Sequence, residues 1–483
     1  MALVEPVELV AARELGPVHF IAIGGSGMNG IASMMVQLGV EVSGSDRNDS
    51  AYLRSLEAAG ARVHVGHAAE QLGDARTVVA SSAIRSDNPE LAEARRRGLR
   101  VLHRSAALGS LMLGRRGVAV AGTHGKTTTT AMLAHVLTGA GLDPSFVIGG
   151  ALTGTKTGGH LGGGDVMVVE ADESDGSFLQ YPAEVAVVTN VDPDHLSNWG
   201  TAEHYADGFL RFATGPAVRL LVVSADDPGA VALTARVRAA LADGRAPEGL
   251  RVVTFGVAPD ADVRIAGTAF AGTGSDFTLH RDGAGGPVRL SVPGHYNVLN
   301  AAATYAVATG LGADEAQVRT ALGGYAGTNR RFQLVGTVDG VRVYDDYAHH
   351  PTEVHHTLVA ARTGVGEHGR VVVCFQPHLY TRTRDFWPEL AAALELADEA
   401  VVMDVCGDRE DPLPGIDGAL VADAVSPGTA HVTYVPSWDD AAPTAAAIAR
   451  PGDLVITVGC GDVTKVAPLI VTELQHRAGG GGR

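Results

Sequence analysis

The residues of this chain best suited to chemistry lie in the stretch 117–130, which reads GVAVAGTHGKTTTT. Glycines let a turn fold tightly with its backbone N–H groups pointing inward, and a lysine adds a positive charge for the β- and γ-phosphates of a nucleotide. Lys126 and the hydroxyl of Thr127 therefore predict a site for phosphates and Mg²⁺. The stretch departs from the full phosphate-loop pattern in one place, because the position five before Gly125 is Val120 rather than glycine.

The sequence on either side of this turn predicts the elements that position it. An apolar β-branched run at 118–121 indicates a buried parallel strand, and an apolar stripe from Thr128 onward indicates an amphipathic helix. Strand, turn and helix in direct succession would present bound phosphates to a helix N-terminus. An ordinary glycine-rich turn between a strand and a helix is the alternative interpretation.

A second glycine-rich turn follows the apolar strand predicted at 18–23. Gly25, Gly27 and Gly30 match G-x-G-x-x-G ahead of a predicted helix, and Asp46 lies about 20 residues further along the chain. This spacing predicts a turn that binds the pyrophosphate of a dinucleotide or of a similar diphosphate. A purely structural turn is the alternative.

Polar side chains follow many of the predicted strands directly. Because the carboxyl ends of the strands in an open parallel sheet form its ligand-binding edge, we expect these side chains to face bound ligands. An acidic residue after an apolar strand beside a phosphate loop usually helps to hold Mg²⁺, which predicts that role for Glu170, with a solvated acidic turn as the alternative. We predict a metal-binding role for His195 too, with a hydrogen-bonded loop histidine as the alternative. The strand-end residues are Ser81, Ser82, His103, Arg104, Glu170, Asp172, Glu173, Asn190, Asp192 and His195.

Composition limits the class of protein. The 483 residues are enough for about three domains. A net charge of −17, from 37 Lys+Arg against 54 Asp+Glu, disfavours binding to nucleic acid or to an anionic membrane through bulk charge. We expect no membrane span, because no uninterrupted apolar stretch approaches about 18 residues.

The N-terminal segment and the cysteines favour one cellular compartment. The first residues carry three glutamates and lack the basic start and apolar core of a signal peptide. Cys374, Cys406 and Cys460 lie far apart without metal-ligand spacing, which indicates free thiols in a reducing cytosol. We therefore predict a cytoplasmic protein.

Alternating strands and helices predict an α/β fold of three domains. The predicted boundaries are 1–116 for a Rossmann-like domain, 117–326 for a central P-loop ATPase-type domain with a parallel sheet, and 327–483 for a C-terminal Rossmann-like domain. Asn297 and Asn300 open an alanine-rich helix of the central domain. Their amides would either cap that helix or contact adenine, and the sequence leaves both readings open.

Seven motifs occur in one order over nearly the whole chain: GGSGMNGIA, GTHGKTTT, EADESD, NVDPDHL, GTNRRF, DDYAHHPTE and FQPHLYTR. By these motifs the chain resembles the Mur ligase family. Several long motifs in fixed order are far more specific than any one of them. The resemblance implies three domains that bind, in turn, a UDP-sugar, ATP and the incoming amino acid.

The activity that the resemblance implies is ATP-dependent formation of an amide bond. The motifs look most like those of the member that joins L-alanine to the carboxylate of UDP-N-acetylmuramate through an acyl phosphate, in cytoplasmic peptidoglycan precursor synthesis. Such a site must gather two anions and spread their charge. The implied cofactors are ATP and Mg²⁺, and the implied partners are UDP-N-acetylmuramate and L-alanine; we expect a monomer or a weak homodimer.

Family positions carry these roles onto numbered residues of this chain. The residues expected to act in catalysis are Lys126, Glu170, His195, Arg331 and Asp346. Those expected to bind ATP are Gly122, Thr123, His124, Gly125, Lys126, Thr127, Thr128, Asn297, Asn300 and Arg331. Those expected to bind the UDP-sugar are Gly24, Gly25, Ser26, Gly27, Met28, Asp46, Ser81, Ser82 and His124. Those expected to bind the amino acid are Tyr347, His349 and Arg382, and those expected to bind the metal are Thr127, Glu170 and His195.

The chain departs from the family pattern at two positions near these sites. Tyr296 stands before the first asparagine, where the family usually has histidine, and His295 stands one place earlier. Leu379 stands where some relatives have arginine. These departures bear on adenine recognition and on the help that Arg382 receives in holding the alanine carboxylate.

A third departure concerns lysine. Other members of the family carry a carbamylated lysine beyond the position of His195, but here no lysine occurs between Lys156 and Lys465. We therefore expect His195, the acyl phosphate oxygens and water to hold the second Mg²⁺, with Glu173 in an outer shell.

Three other functions compete with this interpretation. The first is a recycling ligase that joins a whole tripeptide to the same UDP-sugar. The second is an NAD-dependent oxidoreductase built on G-x-G-x-x-G, which leaves the phosphate loop and the acidic strand ends without a purpose. The third is a P-loop switch or motor ATPase acting on a protein, against which the chain shows no long linker or repeat array.

Overall fold

The computed structural model of the protein describes residues 3–149, 158–272, 274–366, 368–408 and 410–480, so Lys156 lies outside the described residues. By their contacts the residues form two compact units. The first is Met1–Ala266 with Thr278–Val288 and Leu299–Tyr325, and the second is Gly267–Phe277 with Arg289–Val298 and Ala326–Arg483.

The first sheet has five strands: β1 (Val18–Ile21), β2 (Val42–Asp46), β3 (Arg62–Val65), β4 (Thr77–Ala80) and β5 (Arg100–His103). They lie in the order β3-β2-β1-β4-β5, and all neighbours are parallel. Its α-helices are α1 (Ser26–Gln37), α2 (Ala51–Ala58), α3 (Pro89–Arg96) and α4 (Arg104–Met112). The strand order reverses at β1, which is where open α/β sheets bind ligands.

The second sheet has ten strands: β6 (Arg116–Ala121), β7 (Ser145–Val147), β8 (Gly159–His160), β9 (Val166–Glu170), β10 (Val185–Val188), β11 (Leu220–Ser224), β12 (Arg251–Gly256), β13 (Val263–Ala271), β14 (Gly274–Arg281) and β15 (Ala284–Leu290). Their order is β15-β14-β13-β12-β11-β10-β6-β9-β7-β8. β6 is parallel to both of its neighbours, β9 and β10, so three strand ends with polar residues meet at one edge. The helices that follow are α5 (Lys126–Gly139), α6 (Leu196–Trp199), α7 (Ala202–Ala213), α8 (Pro228–Ala242), α9 (His295–Gly310) and α10 (Glu315–Gly323).

The third sheet has six strands: β16 (Gln333–Val338), β17 (Val341–Asp346), β18 (Val371–Phe375), β19 (Glu399–Val402), β20 (His431–Tyr434) and β21 (Leu454–Val458). Their order is β16-β17-β21-β18-β19-β20, with only the β16–β17 pair antiparallel. The helices are α11 (Pro351–Gly364), α12 (Tyr380–Leu394), α13 (Gly418–Ala422), α14 (Trp438–Ile448) and α15 (Val466–Gly480). The predicted α/β fold class with three sheets is therefore confirmed, while the domain boundaries stay a prediction.

The central strand β6 and the helix α5 form the support of the phosphate loop. Residues 118–121 of β6 are fully buried, and so are Met132, Leu133, Val136 and Leu137 of α5. Burying one such side chain contributes about 1.5–3 kcal/mol, so strand and helix hold the turn between them firmly. The helix begins at Lys126, two residues before the predicted start at Thr128, which is buried in its first turn. The left-handed Gly125 causes this early start, because it ends the turn and caps the helix directly.

Glu90 is a fully buried carboxylate in the first sheet. Its Oε1 lies 3.3 Å from His19 Nε2, and its Oε2 accepts from Ser45 Oγ at 2.6 Å and lies 3.1 Å from His67 Nδ1. Burial pushes the pKa of Glu90 upward, but the hydrogen bonds with His19 and Ser45 outweigh it, and the net shift is downward. A carboxyl group with a lowered folded-state pKa stabilises the fold above its ordinary pKa, and this contribution is lost as the pH falls through the folded value.

We expect Glu90→Gln to flatten the dependence of stability on pH. The wild-type protein should lose more stability than the variant between about pH 6 and about pH 3, because only the wild type has an ionised, hydrogen-bonded carboxylate that becomes protonated as the pH falls below its ordinary pKa and through its lowered folded-state pKa. Urea denaturation midpoints at both pH values measure this difference. Glu70→Gln, which changes an exposed carboxylate of the same module, should follow the wild type; parallel curves for the wild type and Glu90→Gln would contradict the prediction.

Within the described residues, none of the helices combines the length and the apolar character that crossing a membrane requires.

Candidate active site

The turn of the phosphate loop needs glycine at two positions. Gly122 has φ +136° and Gly125 has φ +81°, a region that residues with side chains rarely adopt. A Cβ on Gly122 would collide with Thr189 Oγ1, and a Cβ on Gly125 would lie 2.9 Å from Asn300 Oδ1. The amide of Asn300 thus lies beside the loop, as the predicted contact with ATP requires.

Lys126 folds back across the loop that precedes it. Its Nζ donates to Gly122 O at 2.7 Å and to Thr123 O at 2.9 Å, and it lies 2.8 Å from Glu173 Oε2. Burial lowers the pKa of Lys126, but the charges of Glu173 and Asp172 more than offset this and raise the pKa above its ordinary value. The lysine is therefore charged, as phosphate binding requires. Glu173, which we expected in an outer shell around a metal ion, lies against this lysine.

Thr127 and Glu170 meet at the carboxyl end of β9. Thr127 Oγ1 donates to Glu170 Oε1 at 3.0 Å, and the backbone N–H of Gly149 donates to Glu170 Oε2 at 2.8 Å. A hydroxyl and a carboxylate side by side are the hard oxygen ligands that Mg²⁺ prefers, so this pair fits the predicted metal site. His195 precedes α6 in a left-handed conformation (φ 54°), with its Nε2 3.4 Å from Asp194 Oδ2. The structure brings two of the three predicted ligands into contact and pairs the third with an aspartate.

His124 is held by the polar residues that follow β10. Its backbone N–H donates to Asn190 Oδ1 at 2.8 Å, and its carbonyl accepts from Thr189 Oγ1 at 2.6 Å. Its Nε2 lies 3.0 Å from Asp192 Oδ2, and Thr123 Oγ1 donates to Asp192 O at 2.7 Å. The strand next to β6 therefore fixes the middle of the phosphate loop.

The first asparagine of α9, Asn297, donates its amide to the turn before the helix. Asn297 is the third residue of the helix, and its Nδ2 donates to Pro293 O at 2.7 Å. An N-cap accepts hydrogen bonds through a side-chain oxygen, so this contact is not the capping interaction that the sequence left open.

Tyr296, one of the departures from the family pattern, lies beside His356, with ring centroids 6.5 Å apart, and packs on the apolar core of the third sheet.

The first glycine-rich turn leads directly into α1, which begins at Ser26. The backbone N–H of Gly24 donates to Asp46 Oδ2 at 3.0 Å, so the predicted acidic residue touches the turn. A Cβ on Gly27 would lie 3.2 Å from Arg104 Nη1, which places a guanidinium at the N-terminal end of α1. Met28 is buried in the core, so only its backbone is suited to contact a ligand. A helix N-terminus and an arginine together suit the diphosphate predicted for this turn.

Two carboxylates of the acidic loop after Glu170 contact the first sheet. Arg104 Nη2 donates to Asp172 Oδ2 at 2.6 Å, and Ser82 Oγ donates to Asp175 Oδ2 at 2.7 Å. Burial raises the pKa of Asp172, but the charge of Arg104 outweighs it and holds the pKa well below its ordinary value. Ser81 is half-buried beside these residues, at the end of β4. The loop that follows Glu170, a predicted metal ligand, is thus tied to the predicted UDP-sugar module.

In the second unit, Asp346 lies buried at the end of β17. It accepts from the backbone N–H groups of Phe332 at 2.7 Å and of Ala348 at 2.8 Å. Burial raises the pKa of Asp346 to about 6, against the opposing charge of Arg331. The contact with Phe332 fixes the segment that carries Arg330 and Arg331. The catalytic role expected for Asp346 stays a prediction.

The residues predicted to bind the amino acid lie together around Tyr347. The guanidinium carbons of Arg330 and Arg331 lie 4.7 Å and 4.8 Å from the centre of the Tyr347 ring, and the His349 ring centroid lies 5.5 Å from that of Tyr347. Burial, helped by the charge of Arg382 and opposed by that of Glu353, lowers the pKa of His349 to about 3, so this histidine is neutral near pH 7. Arg382 is itself buried in the first turn of α12. A neutral ring and several guanidinium groups form a cluster suited to a carboxylate.

The structure also reveals neighbours of these sites that the sequence interpretation did not assign. Tyr205 contacts the phosphate loop, with its OH 2.8 Å from Thr123 Oγ1. Cys460 lies near Arg382, and burial raises the pKa of its thiol to about 12. No local pattern marks Tyr205, because it is one apolar-face residue of α7. Leu379, one of the departures from the family pattern, is buried ahead of α12 with φ 66°.

The parallel sheets, the phosphate loop and the acidic strand end beside it define a nucleotide-binding α/β enzyme. The profile described as Mur ligase family, catalytic domain, matches residues 17–116; Mur ligase middle domain matches 120–308; and Mur ligase, glutamate ligase domain, matches 330–461. The chain belongs to the Mur ligase family.

Individual relatives are similar over their whole length. The UDP-N-acetylmuramate–L-alanine ligase of Cutibacterium acnes is 54% identical over 478 residues, which are 99% of this chain and 100% of the relative. The crystal structure of the UDP-N-acetylmuramate-alanine ligase of Thermotoga maritima has a TM-score of 0.79 at 29% identity, covering 95% of this chain and 99% of that chain. The structure of a murein peptide ligase from Psychrobacter arcticus has a TM-score of 0.70 at 25% identity, covering 95% and 98%. The family predicted from the motifs is therefore confirmed.

Proposed function

We propose that the protein catalyses the ATP-dependent ligation of L-alanine to the carboxylate of UDP-N-acetylmuramate, a step of peptidoglycan precursor synthesis. The observation that carries this proposal is the 54% identity to an L-alanine ligase across 99% of the chain. The geometry supports it, because many of the residues predicted to bind phosphate, metal and the amino acid lie at or just after the carboxyl ends of β6, β9 and β17. The UDP-sugar, ATP and the amino acid would bind to residues 1–116, 117–326 and 327–483, respectively.

The residues of this chain divide the reaction between them. Lys126 would neutralise charge on the ATP phosphates, while the sugar carboxylate attacks the γ-phosphorus to give an acyl phosphate and ADP. The amine of L-alanine would then attack the acyl carbon and release phosphate. Arg382 would hold the carboxylate of L-alanine, and Arg331 would stabilise charge on a phosphate. Mg²⁺ held by Thr127 and Glu170, with His195, would supply further charge neutralisation.

The free cysteines support a cytoplasmic enzyme. Cys374, Cys406 and Cys460 are unpaired, as suits a reducing compartment. A monomer or weak homodimer stays a prediction, which sedimentation analysis of the purified protein tests.

Measurement of phosphate release tests the function directly. The assay supplies ATP, Mg²⁺ and UDP-N-acetylmuramate and varies the amino acid, with the tripeptide L-alanyl-γ-D-glutamyl-meso-diaminopimelate in a parallel series. We expect release with L-alanine and none with the tripeptide. The recycling function is the less favoured alternative, because the peptide ligase of Psychrobacter arcticus is only 25% identical; release with the tripeptide alone would favour it.

We expect the reaction to be independent of CO₂. No lysine lies between Lys156 and Lys465, so the position that carries a carbamate in other family members has no carrier here. Initial rates in buffers stripped of CO₂ and bicarbonate should equal those with bicarbonate added, and Lys156→Arg should remain active. A bicarbonate-dependent rate that disappears in Lys156→Arg would instead assign the carbamate to Lys156.

A further inference from the structure

Glu173 is a fully buried carboxylate to which the proposed reaction assigns no role. It lies three residues after Glu170 in the acidic loop, its side chain is 0% exposed, and its Oε2 is 2.8 Å from Lys126 Nζ. A buried carboxylate is costly unless it is paired, and here the charged partner in contact is the lysine that the nucleotide needs. The carboxylate of Glu173 and the phosphates of a nucleotide would therefore compete for the ammonium group of Lys126.

Lys126 Nζ lies against three oxygen atoms of the protein. It donates to Gly122 O and Thr123 O, and it forms an ion pair with Glu173 Oε2 at 2.8 Å. A phosphate oxygen must therefore compete with these partners for the ammonium group. The two carbonyls belong to the loop itself and follow its fold, whereas Glu173 carries a negative charge that repels the arriving phosphate. Glu173 is thus the acceptor to be displaced.

Glu173 also contacts residues other than the lysine. Trp199 Nε1 donates to Glu173 O at 2.9 Å, and Tyr205 OH lies 3.5 Å from Glu173 Oε1. Burial raises the pKa of Glu173 to about 7, with Lys126 opposing this rise and Asp172 adding to it. The charged form of this buried carboxyl group is therefore stabilised mainly by its contact with the lysine.

We propose that Glu173 is a positioning residue for Lys126: it holds the ammonium in the nucleotide-free loop and competes with the nucleotide phosphates for it. This inference rests only on the nucleotide-binding part of the proposed function. It assigns Glu173 a role in setting nucleotide affinity rather than in holding a metal ion.

Equilibrium binding of ADP, without Mg²⁺ or the other substrates, tests the proposal. Glu173→Gln keeps the shape of the side chain and removes its charge, so we expect ADP to bind at least about fivefold more tightly. Glu173→Asp keeps the charge but withdraws it by one methylene group, so we expect a smaller gain. In steady-state assays the KM for ATP should fall most in Glu173→Gln and less in Glu173→Asp. The KM for L-alanine and for UDP-N-acetylmuramate should change by less than about twofold in both variants.

Glu90→Gln is a matched control, because Glu90 is equally buried but contacts His19 and Ser45 in the first sheet. It should leave ADP affinity unchanged even where stability falls. A folded Glu173→Gln protein that binds ADP no more tightly than the wild type would overturn the proposal and leave Glu173 as a structural counter-ion. If Glu173→Gln does not fold, the same comparison with Glu173→Asp decides.

The outcome is separable from the proposed reaction. Phosphate release with UDP-N-acetylmuramate and L-alanine is measured on the same preparations. Absence of release from a wild-type protein that binds ADP would contradict the ligase reaction, whereas unchanged ADP affinity in the Glu173 variants would contradict the role of Glu173 alone.

Discussion

Lys126→Ala is expected to abolish ATP-dependent ligation while UDP-N-acetylmuramate still binds. The variant removes the ammonium that lies against the carbonyls of Gly122 and Thr123, and no other lysine is near in sequence to replace it. The glycine-rich turn before α1 belongs to a different sheet and keeps its contact between Gly24 and Asp46. Phosphate release should therefore be lost, while equilibrium binding of the UDP-sugar changes by less than about tenfold, or roughly 1.4 kcal/mol.

The variant needs a control for the buried charge that it leaves behind. Lys126→Ala strips Glu173 of its ion pair, and an unpaired buried carboxylate destabilises a fold. The double variant Lys126→Ala/Glu173→Gln removes both charges and should recover stability without recovering ligation. Loss of both ligands in this double variant would contradict the assignment of two separate binding sites.

Arg382→Ala is expected to raise the KM for L-alanine far more than the KM for ATP. A charge-assisted contact between a guanidinium and a carboxylate contributes about 1.5–3 kcal/mol, which corresponds to roughly a 10- to 150-fold increase in KM. The buried position of Arg382 and the effect of its charge on His349 place it in the cluster of side chains around Tyr347. Phosphate release is measured with varied L-alanine at saturating ATP, and then with varied ATP at saturating L-alanine. The two series give the KM values to be compared.

Arg384→Ala supplies the matched control for this experiment. Arg384 lies two residues further along α12, is largely exposed and pairs with its neighbour Asp385 at 2.7 Å. An exposed pair of this kind contributes little, so the variant should behave like the wild type. Equal increases in both KM values for Arg382→Ala would show that Arg382 supports the fold rather than the amino acid.

The local sequence was sufficient to predict the phosphate loop. Glycines at 122 and 125 have positive φ values that few other residues tolerate, and the apolar runs on either side become β6 and α5. Strand ends could be predicted as well, because a buried parallel strand is an apolar run and whatever polar residue follows it lies at the edge of the sheet. Glu170 was found in this way, and it ends a strand. Asp346 also ends a strand, but its role was expected from the family resemblance.

What the sequence could not predict is which polar groups meet. Glu173 and Glu170 lie in one acidic run, yet Glu170 contacts Thr127 and Glu173 contacts Lys126. The choice depends on how the chain turns after β9, a turn fixed in part by the contact of Trp199 with the backbone of Glu173. Asn297 is a similar case. Its amide donates to the carbonyl of Pro293, and the residue type alone does not predict that partner.

The contacts between the acidic loop and Arg104 connect the two predicted binding sites. Arg104 faces the glycine-rich turn on one side and Asp172 on the other, and Asp172 lies two residues from Glu170. A diphosphate that drew Arg104 toward itself would weaken the contact of Arg104 with Asp172 and so alter the loop that presents Glu170. Linkage is reciprocal, so any factor by which the UDP-sugar changes the affinity for MgATP must equal the factor by which MgATP changes the affinity for the UDP-sugar. The order in which the two are added therefore alters the path but not the final occupancy.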